Sequence, residues 1–286
     1  MADIPFGAQS MTAPLNHVLI KTPGPAFGAA FKNPAHGFRH PVSLLTARRE
    51  HTRFRELLES LGVTVHHLGA ETESPDLVYQ YDPSLVTDRG AILLRSGKAT
   101  RRGEEDAQKE WYEANGIPVI GRIEPPGTVD GGDVFWLRPD VVCIGRTLRT
   151  NQSGIDQLSQ MLDGTIHVFD MPFDAGEEDC LHLLSVISPV ADDLVVVEPA
   201  RLPAGLFRLL ESMRVLMIGI PPEEIPSLAC NVLAIRPGVA VMVEGNTQTQ
   251  GFLEDQGIEV HTFGGTEICW NGSGGPTCLT RPIQRG

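Results

Sequence analysis

Positive charge is scarce in this chain. Its 286 residues include 23 lysines and arginines against 36 aspartates and glutamates, a formal net charge of -13. Gripping a phosphate backbone takes clustered Lys and Arg, so nucleic acid is not an expected partner. Cysteine is also sparse: Cys143, Cys180, Cys230, Cys269 and Cys278 are odd in number and lack C-x-x-C spacing. That pattern excludes a paired disulfide framework and a zinc knuckle, and no metal is expected. Apolar runs of about 18 residues are missing, so no membrane partner is expected either. The opening MADIPFGAQSMTAPLN has no basic stretch leading into an apolar core, which argues against a signal peptide and for a cytoplasmic location. Hydrophobic residues still make up 41%, enough for a buried core and against disorder.

What the chain does have is a repeat. Two β-rich runs separated by a polar or proline-containing turn occur four times. They are DLVYQYDPSLVTDRGAILLR (76–95), GDVFWLRPDVVCIG (132–145), CLHLLSVISPVADDLVVV (180–197) and CNVLAIRPGVAVMVEG (230–245), starting about fifty residues apart. A helical pattern follows each, in 101–116, 150–163, 203–213 and the shorter GFLEDQG, and then one more apolar strand, such as IPVIGRI or VLMIGIP. Near the N-terminus, HVLIK (17–21), a helix over 47–62 and VTVHHL (63–68) supply a further unit with one strand short. The C-terminal CLTRPI can complete it by pairing with HVLIK. The expected fold is α/β: a five-bladed β/α propeller of ββαβ units, one catalytic domain over 1–286. Closing a ring removes exposed sheet edges. The alternative is an open doubly wound sheet, whose units lack the leading hairpin.

Several residues break the apolar patterns. In VDGGDVF (129–135), Asp130 and Asp133 bracket two glycines at a strand entry, where glycine permits close backbone approach; an ordinary turn reads the same way. His182 lies among leucines on an expected buried strand, where a satisfied core histidine is the bland alternative. Its phase places it at the start of its unit, and equivalent starts converge in a ring. Cys278 follows the glycine-rich NGSGGPT and alone of the five cysteines has a setting that can leave sulfur accessible. Asp76 and Asp82 flank LVYQY, and their even separation puts both on one face of an extended strand. Arg101 and Arg149 stand at helix starts, against the helix dipole, where an incoming carboxylate would suit them.

Taken in order, PDLVYQYDPSLV, SGKATRRGEE, VDGGDVFWL, GRTLRTNQSG, LHLLS and PTCLT resemble the dimethylarginine dimethylaminohydrolases, in the guanidine-modifying superfamily of five-bladed β/α propellers. The resemblance implies Cys278 as nucleophile, His182 as general acid and base, and Asp130 as the carboxylate beside the histidine. It implies Asp76 and Asp82 on the substrate guanidinium, and Arg101 with Arg149 on its α-carboxylate. The GPAFGAAF loop (24–31) falls where the family has a mobile lid, with the Phe27 carbonyl receiving the α-amino group. No cofactor is implied. The partner is a small guanidino amino acid, and a homo-oligomer is compatible with the pattern.

One position departs from the family. Tyr81 stands where a glutamate usually precedes the second guanidinium-binding aspartate, which leaves the methylation state of the substrate open. The GSGGPTC ending resembles arginine deiminases, whereas the short chain favours the dimethylargininase side. The expected reaction is hydrolysis of Nω-methylated arginine to citrulline and an alkylamine through a thiouronium on Cys278. Arginine deiminase, amidinotransferase and a non-catalytic propeller binding module are the alternatives.

Overall fold

Strand, helix and strand segments close on themselves into five small sheets rather than one large one. The protein is described here by a computed structural model covering residues 4–173 and 181–286. In the first unit, β1 (Leu15–Ile20) leads through a short helix α1 (Pro25–Ala29) and a long α2 (Leu44–Ser60) to β2 (Thr64–His67). The second holds β3 (Ser84–Thr87), β4 (Gly90–Leu93), α3 (Glu104–Ala114) and β5 (Val119–Arg122). The third holds β6 (Val134–Arg138), β7 (Val141–Arg146), α4 (Gln152–Ser159) and β8 (Thr165–Asp170). The fourth holds β9 (Ile187–Ala191), β10 (Leu194–Val197), α5 (Ala204–Ser212) and β11 (Leu216–Gly219). The fifth holds β12 (Leu233–Arg236), β13 (Val239–Val243), α6 (Thr247–Asp255) and β14 (Glu259–Phe263). The last strand, β15 (Arg281–Arg285), returns to the first unit and pairs antiparallel with β1, Leu15 opposite Arg285 and Leu19 opposite Arg281.

Every sheet has the same order: an antiparallel pair, a hairpin in four units and β15 with β1 in the first, then a parallel strand added to one member of the pair. A parallel neighbour cannot be reached by a tight turn, so each unit needs its crossover helix. The helices carry local start signals. Ser43 accepts from the Thr46 amide ahead of α2 and Asn151 from the Gly154 amide ahead of α4, while Glu104, Glu105 and Asp106 open α3 in the favourable sense of its dipole. Ala47, Phe54 and Leu58 form the buried stripe of α2. Strands β3, β4 and β10 are buried at every residue, and in β4 and β10 this matches an unbroken apolar run.

Neighbouring units are joined at the ends of their first strands. The Tyr81 amide donates to the Cys278 carbonyl at 3.1 Å, and the Gly131 amide to the Asp82 carbonyl at 3.0 Å. The Leu183 amide donates to Asp133 Oδ1 at 2.9 Å, the Val232 amide to Ser188 Oγ at 3.2 Å, and the Thr277 amide to Asn231 Oδ1 at 3.0 Å. These contacts pass through all five units and come back to the first. Among the described residues no helix is long and apolar enough to cross a membrane.

Three local expectations are corrected. LVYQY is not a strand: Pro75–Val78 forms a short 3₁₀ turn and β3 begins only at Ser84. Proline fixes the turn, and the Tyr81 amide bonds the chain's closing segment instead of a hairpin partner. The strand-face argument for Asp76 and Asp82 therefore fails. His182 precedes a 3₁₀ turn, Leu183–Ser185, and β9 starts at Ile187. The segment read as a lid loop contains helix α1, begun by Pro25. Cys180 lies outside the described residues.

Candidate active site

Residues just ahead of the first strand of each unit line one cavity of about 350 Å³: Asp76, Tyr81 and Asp82 before β3, Gly132 before β6, His182 before β9, Asn231 before β12 and Cys278 before β15. The convergence follows from the repeat, because equivalent positions of equivalent units face the same way. Lys98, Arg101 and Arg149 line the same cavity. Asp130 is wholly buried directly behind it.

Cys278 is a free thiol, partly exposed, whereas Cys143, Cys230 and Cys269 are buried. The sulfur accepts a hydrogen bond from Asn231 Nδ2 at 3.3 Å. Asn231 in turn accepts from the Thr277 amide through its other end at 3.0 Å, so one amide group sets both the turn and the thiol. Gly275 permits this: a Cβ there would lie 2.4 Å from Asn231 Cγ. Burial, together with the Asp82 charge, pushes the thiol pKa up to about 11, against the opposing pull of the Asn231 hydrogen bond. At neutral pH the sulfur is protonated.

His182 Nε2 meets Asp130 Oδ2 at 3.1 Å, leaving Nδ1 as the ring nitrogen not engaged by that carboxylate. Burial opposes a charged ring, but Asp133, Asp130 and Asp82 outweigh it and raise the His182 pKa to about 9. The ring is an imidazolium at neutral pH. Asp130 shows the reciprocal effect. Its burial alone would raise its pKa, yet His182, Arg101 and Arg149 hold it well below the usual carboxylate range. Among the described residues Asp133 has no ion pair with a lysine or arginine. It accepts from Thr147 Oγ1 at 2.7 Å, Thr150 Oγ1 at 2.6 Å and the Leu183 amide at 2.9 Å, and burial raises its pKa to about 6 despite the nearby His182. It acts as a brace, fixing the backbone next to His182. Between the two acids, a Cβ on Gly131 would meet the Tyr81 carbonyl at 2.2 Å, and one on Gly132 would meet the His182 ring at 3.0 Å. The double glycine is a close-approach requirement.

Adjoining this cluster, the remaining acids are already matched with cations. Asp76 Oδ2 takes Lys98 Nζ at 2.6 Å. Asp82 pairs with Arg101 through Oδ2 and accepts the Gly132 amide through Oδ1 at 2.8 Å. Arg101 also donates to Glu104 at 2.8 Å and 3.0 Å, and to the carbonyls of Asp76 at 3.2 Å and Tyr79 at 3.1 Å. Arg149 is freer, its guanidinium facing Asp130 at 3.7 Å. Tyr81 is buried with the Arg281 guanidinium 4.0 Å from its ring centre.

Phe27 is not at the cavity. Its ring packs edge-on against Phe38 at 5.2 Å, and its carbonyl accepts the Ala30 amide at the end of α1. Segment 36–39 reaches the cavity instead, through His36, Gly37 and Arg39. Lys98 and Asn231 are cavity residues that the sequence reading passed over. Lys98 lies inside SGKATRRGEE, three residues before Arg101. Asn231 opens the fifth unit, one residue before Val232, whose amide ties that unit to the fourth.

The family model described as arginine deiminase matches residues 71–214 and 206–285 of this chain. The arginine deiminase of Mycobacterium avium is 32% identical over 265 residues, covering 79% of this chain and 65% of that enzyme; the chain thus spans less than two thirds of it. The N(G),N(G)-dimethylarginine dimethylaminohydrolase of Pseudomonas aeruginosa is 34% identical over 117 residues, 41% of this chain and 46% of that one. A solved structure of the Pseudomonas aeruginosa enzyme, a mutant complexed with citrulline, superposes with a TM-score of 0.76 at 24% identity, covering 94% of this chain and 100% of that one. At that identity the likeness establishes a shared fold.

Proposed function

Because the chain belongs to the arginine deiminase family, in the guanidine-modifying superfamily, we propose that it hydrolyses the guanidino carbon of an arginine derivative through Cys278. We take Nω-methylated arginine as the substrate class, with citrulline and an alkylamine as products. The five units are read as the blades of one catalytic β/α propeller. The observation that carries this reading is the arrangement of a partly exposed thiol and an imidazolium on one cavity, with a buried carboxylate behind the ring.

A guanidinium resists attack because resonance spreads its charge, so splitting the hydrolysis into two displacements helps. The thiol of Cys278 is protonated at rest. A cation bound beside Asp82 favours loss of that proton to solvent. The thiolate forms a bond to the guanidino carbon, and the bond from that carbon to the substituted nitrogen breaks as His182 gives the leaving amine its proton. The neutral His182 then takes a proton from water as the oxygen adds to the same carbon, and the carbon–sulfur bond breaks with the hydroxyl proton passing to the departing sulfur, which leaves a ureido carbonyl. Asp130 steadies the ring through both halves. Leu184, Ile225, Pro226 and Leu228, near His182 and Asn231 in the chain, give the cavity an apolar flank suited to N-methyl groups.

A second reading, release of ammonia from free arginine, draws support from Tyr81 in place of a carboxylate and from the family model. The deciding experiment is a product assay with purified protein across L-arginine, mono- and dimethyl-L-arginine and agmatine, with Cys278→Ser as control. Citrulline with methylamine or dimethylamine supports the first reading, and ammonia from L-arginine the second. Transfer of the amidino group to an added amine would select an amidinotransferase. No turnover of any of these compounds overturns the proposal.

A further inference from the structure

We infer that Arg281 is a positioning residue, and that its clasp on Tyr81 sets the spacing between the Cys278 sulfur and the Asp82 carboxylate. The inference rests on the covalent guanidino reading of this cavity and adds to it a residue that stands behind the lining.

Tyr81 stands between the nucleophile and the acid. Its amide donates to the Cys278 carbonyl at 3.1 Å, and the residue after it is Asp82. One backbone unit therefore links the two groups. Arg281 grips the same unit from the segment that carries the sulfur. It follows Cys278 by three positions, opens β15, and donates from Nη2 to the Tyr81 carbonyl. Its Cζ lies 4.0 Å from the centre of the Tyr81 ring, within the range of a cation–π contact. Amide, carbonyl and ring of one residue are thus all held by the segment 278–281. The third unit closes in from the other side: a Cβ on Gly131 would lie 2.2 Å from the Tyr81 carbonyl oxygen. That carbonyl has little room to turn.

Burial makes this contact more than a surface clip. Arg281 is 2% exposed, its Nε has no partner, and no carboxylate forms an ion pair with it among the described residues. A cation so placed is costly unless its surroundings compensate it, and its hydrogen bond and its aromatic contact both go to Tyr81. Arg285, at the far end of β15, provides the comparison. Its guanidinium donates to the carbonyls of Ala13 at 2.7 Å and Ala234 at 2.8 Å, in the N-terminal segment and the fifth unit. Arg285 anchors the strand, whereas Arg281 reaches a residue that adjoins Asp82.

The test looks for a split between binding and chemistry. For Arg281→Met, Arg281→Lys, Tyr81→Leu, the double variant Arg281→Met with Tyr81→Leu, and Arg285→Met, kcat is measured on the guanidino compound that the wild type turns over. Calorimetric Kd values for that compound are taken with each change placed in a Cys278→Ser background. A misplacement of about 1 Å between reacting groups costs about a hundredfold in rate. Arg281→Met should lower kcat by that order while Kd stays near the value for Cys278→Ser alone, because Asp82 still receives the guanidinium. Arg281→Lys, which keeps a cation over the ring, should recover part of the loss. Tyr81→Leu should also lose rate, and the double variant no more than Arg281→Met, since both act through one contact. Arg285→Met should lower the denaturant midpoint and keep the kcat of the folded protein. A folded Arg281→Met protein with undiminished kcat overturns the clasp. Parallel losses of kcat and Kd overturn it too, since they mark a merely structural role, as do equal kcat losses in Arg281→Met and Arg285→Met. If Arg281→Met does not fold, Arg281→Lys and Tyr81→Leu read the same split. A wild type inactive on every guanidino compound overturns the functional reading along with the clasp, whereas an active wild type whose variants lack the split overturns the clasp alone.

Discussion

The two walls of the cavity are built on opposite principles. The wall from Asp76 to Arg149 is a lattice of opposite charges, each acid within reach of a cation. The wall carrying Asn231 and Cys278 uses neutral hydrogen bonds: amide to sulfur, backbone to amide, hydroxyl to carbonyl. His182 stands where they meet and takes its charge from acids of the first. The difference assigns the labour. A charged lattice fixes a cation or an anion in space, because its members have little freedom to move. On the neutral wall no cation hydrogen-bonds the sulfur among the described residues, and the more distant Arg101 charge is outweighed by burial, so its ionisation waits for a bound cation. Cys278 and His182 are accordingly poised in the non-nucleophilic pairing of thiol and imidazolium.

That contrast can be broken from either side. The largest effect should come from the charged wall. Arg101→Met leaves Asp82 and Glu104 buried without their cation, and breaking such a network costs about 3–5 kcal/mol of stability. Denaturant unfolding near neutral pH reads this directly; a loss below about 1 kcal/mol would mean that the lattice is not held by charge. Next is the junction. Asp130→Asn removes both a hydrogen bond and a negative charge from His182, so the imidazole pKa falls from about 9. With less imidazolium available for the leaving amine, kcat should drop by about a hundredfold or more. NMR titration of His182 gives the pKa shift independently of the rate.

The smallest effect belongs to the neutral wall. Asn231→Ala deletes a side-chain hydrogen bond on sulfur, so the thiol pKa should climb further above about 11. Thiolate is the reactive form, and its fraction rises as pH approaches the pKa from below. Alkylation mapped to residue 278 should therefore keep accelerating with pH in the wild type up to about 11. At any pH below that it should run about tenfold slower in Asn231→Ala. A wild-type rate that levels off below pH 8 would show that the sulfur already has a cationic partner, and would erase the distinction between the walls.

Much of this architecture was legible in the chain because it rests on repetition. Hairpins bounded by Pro, Asp and Gly, each followed by a helix and a strand, led to the five units and to the return of CLTRPI beside HVLIK. The same repetition brought residues as distant as Asp82, His182 and Cys278 to one cavity. What local pattern could not reveal was anything decided by a neighbouring unit. The run LVYQY has strand composition, but its Tyr81 amide is claimed by the Cys278 carbonyl from the far end of the chain. His182 looked like a strand residue among leucines, yet Asp133 of the preceding unit holds the next amide and sets a turn there. The Phe27 segment lacked any contrary signal until Pro25 was seen to begin a helix. Lys98 and Asn231 were missed for a related reason. A lysine three residues from an arginine pair reads as solvated surface, and an asparagine at a strand entry reads as a turn former, until partners from other units are in view.

The pairing of β15 with β1 orders events during folding. Only Leu279 and Thr280 separate Cys278 from a strand whose partner, β1, lies more than 250 positions earlier in the sequence. Contacts of such long range carry a large loop-closure cost and form late. A chain that has folded its middle units but not yet joined its extremities would hold the histidine and its carboxylate together with no thiol opposite. On the proposed reading, activity depends on that closure, so damage to either strand should abolish turnover while most of the secondary structure persists.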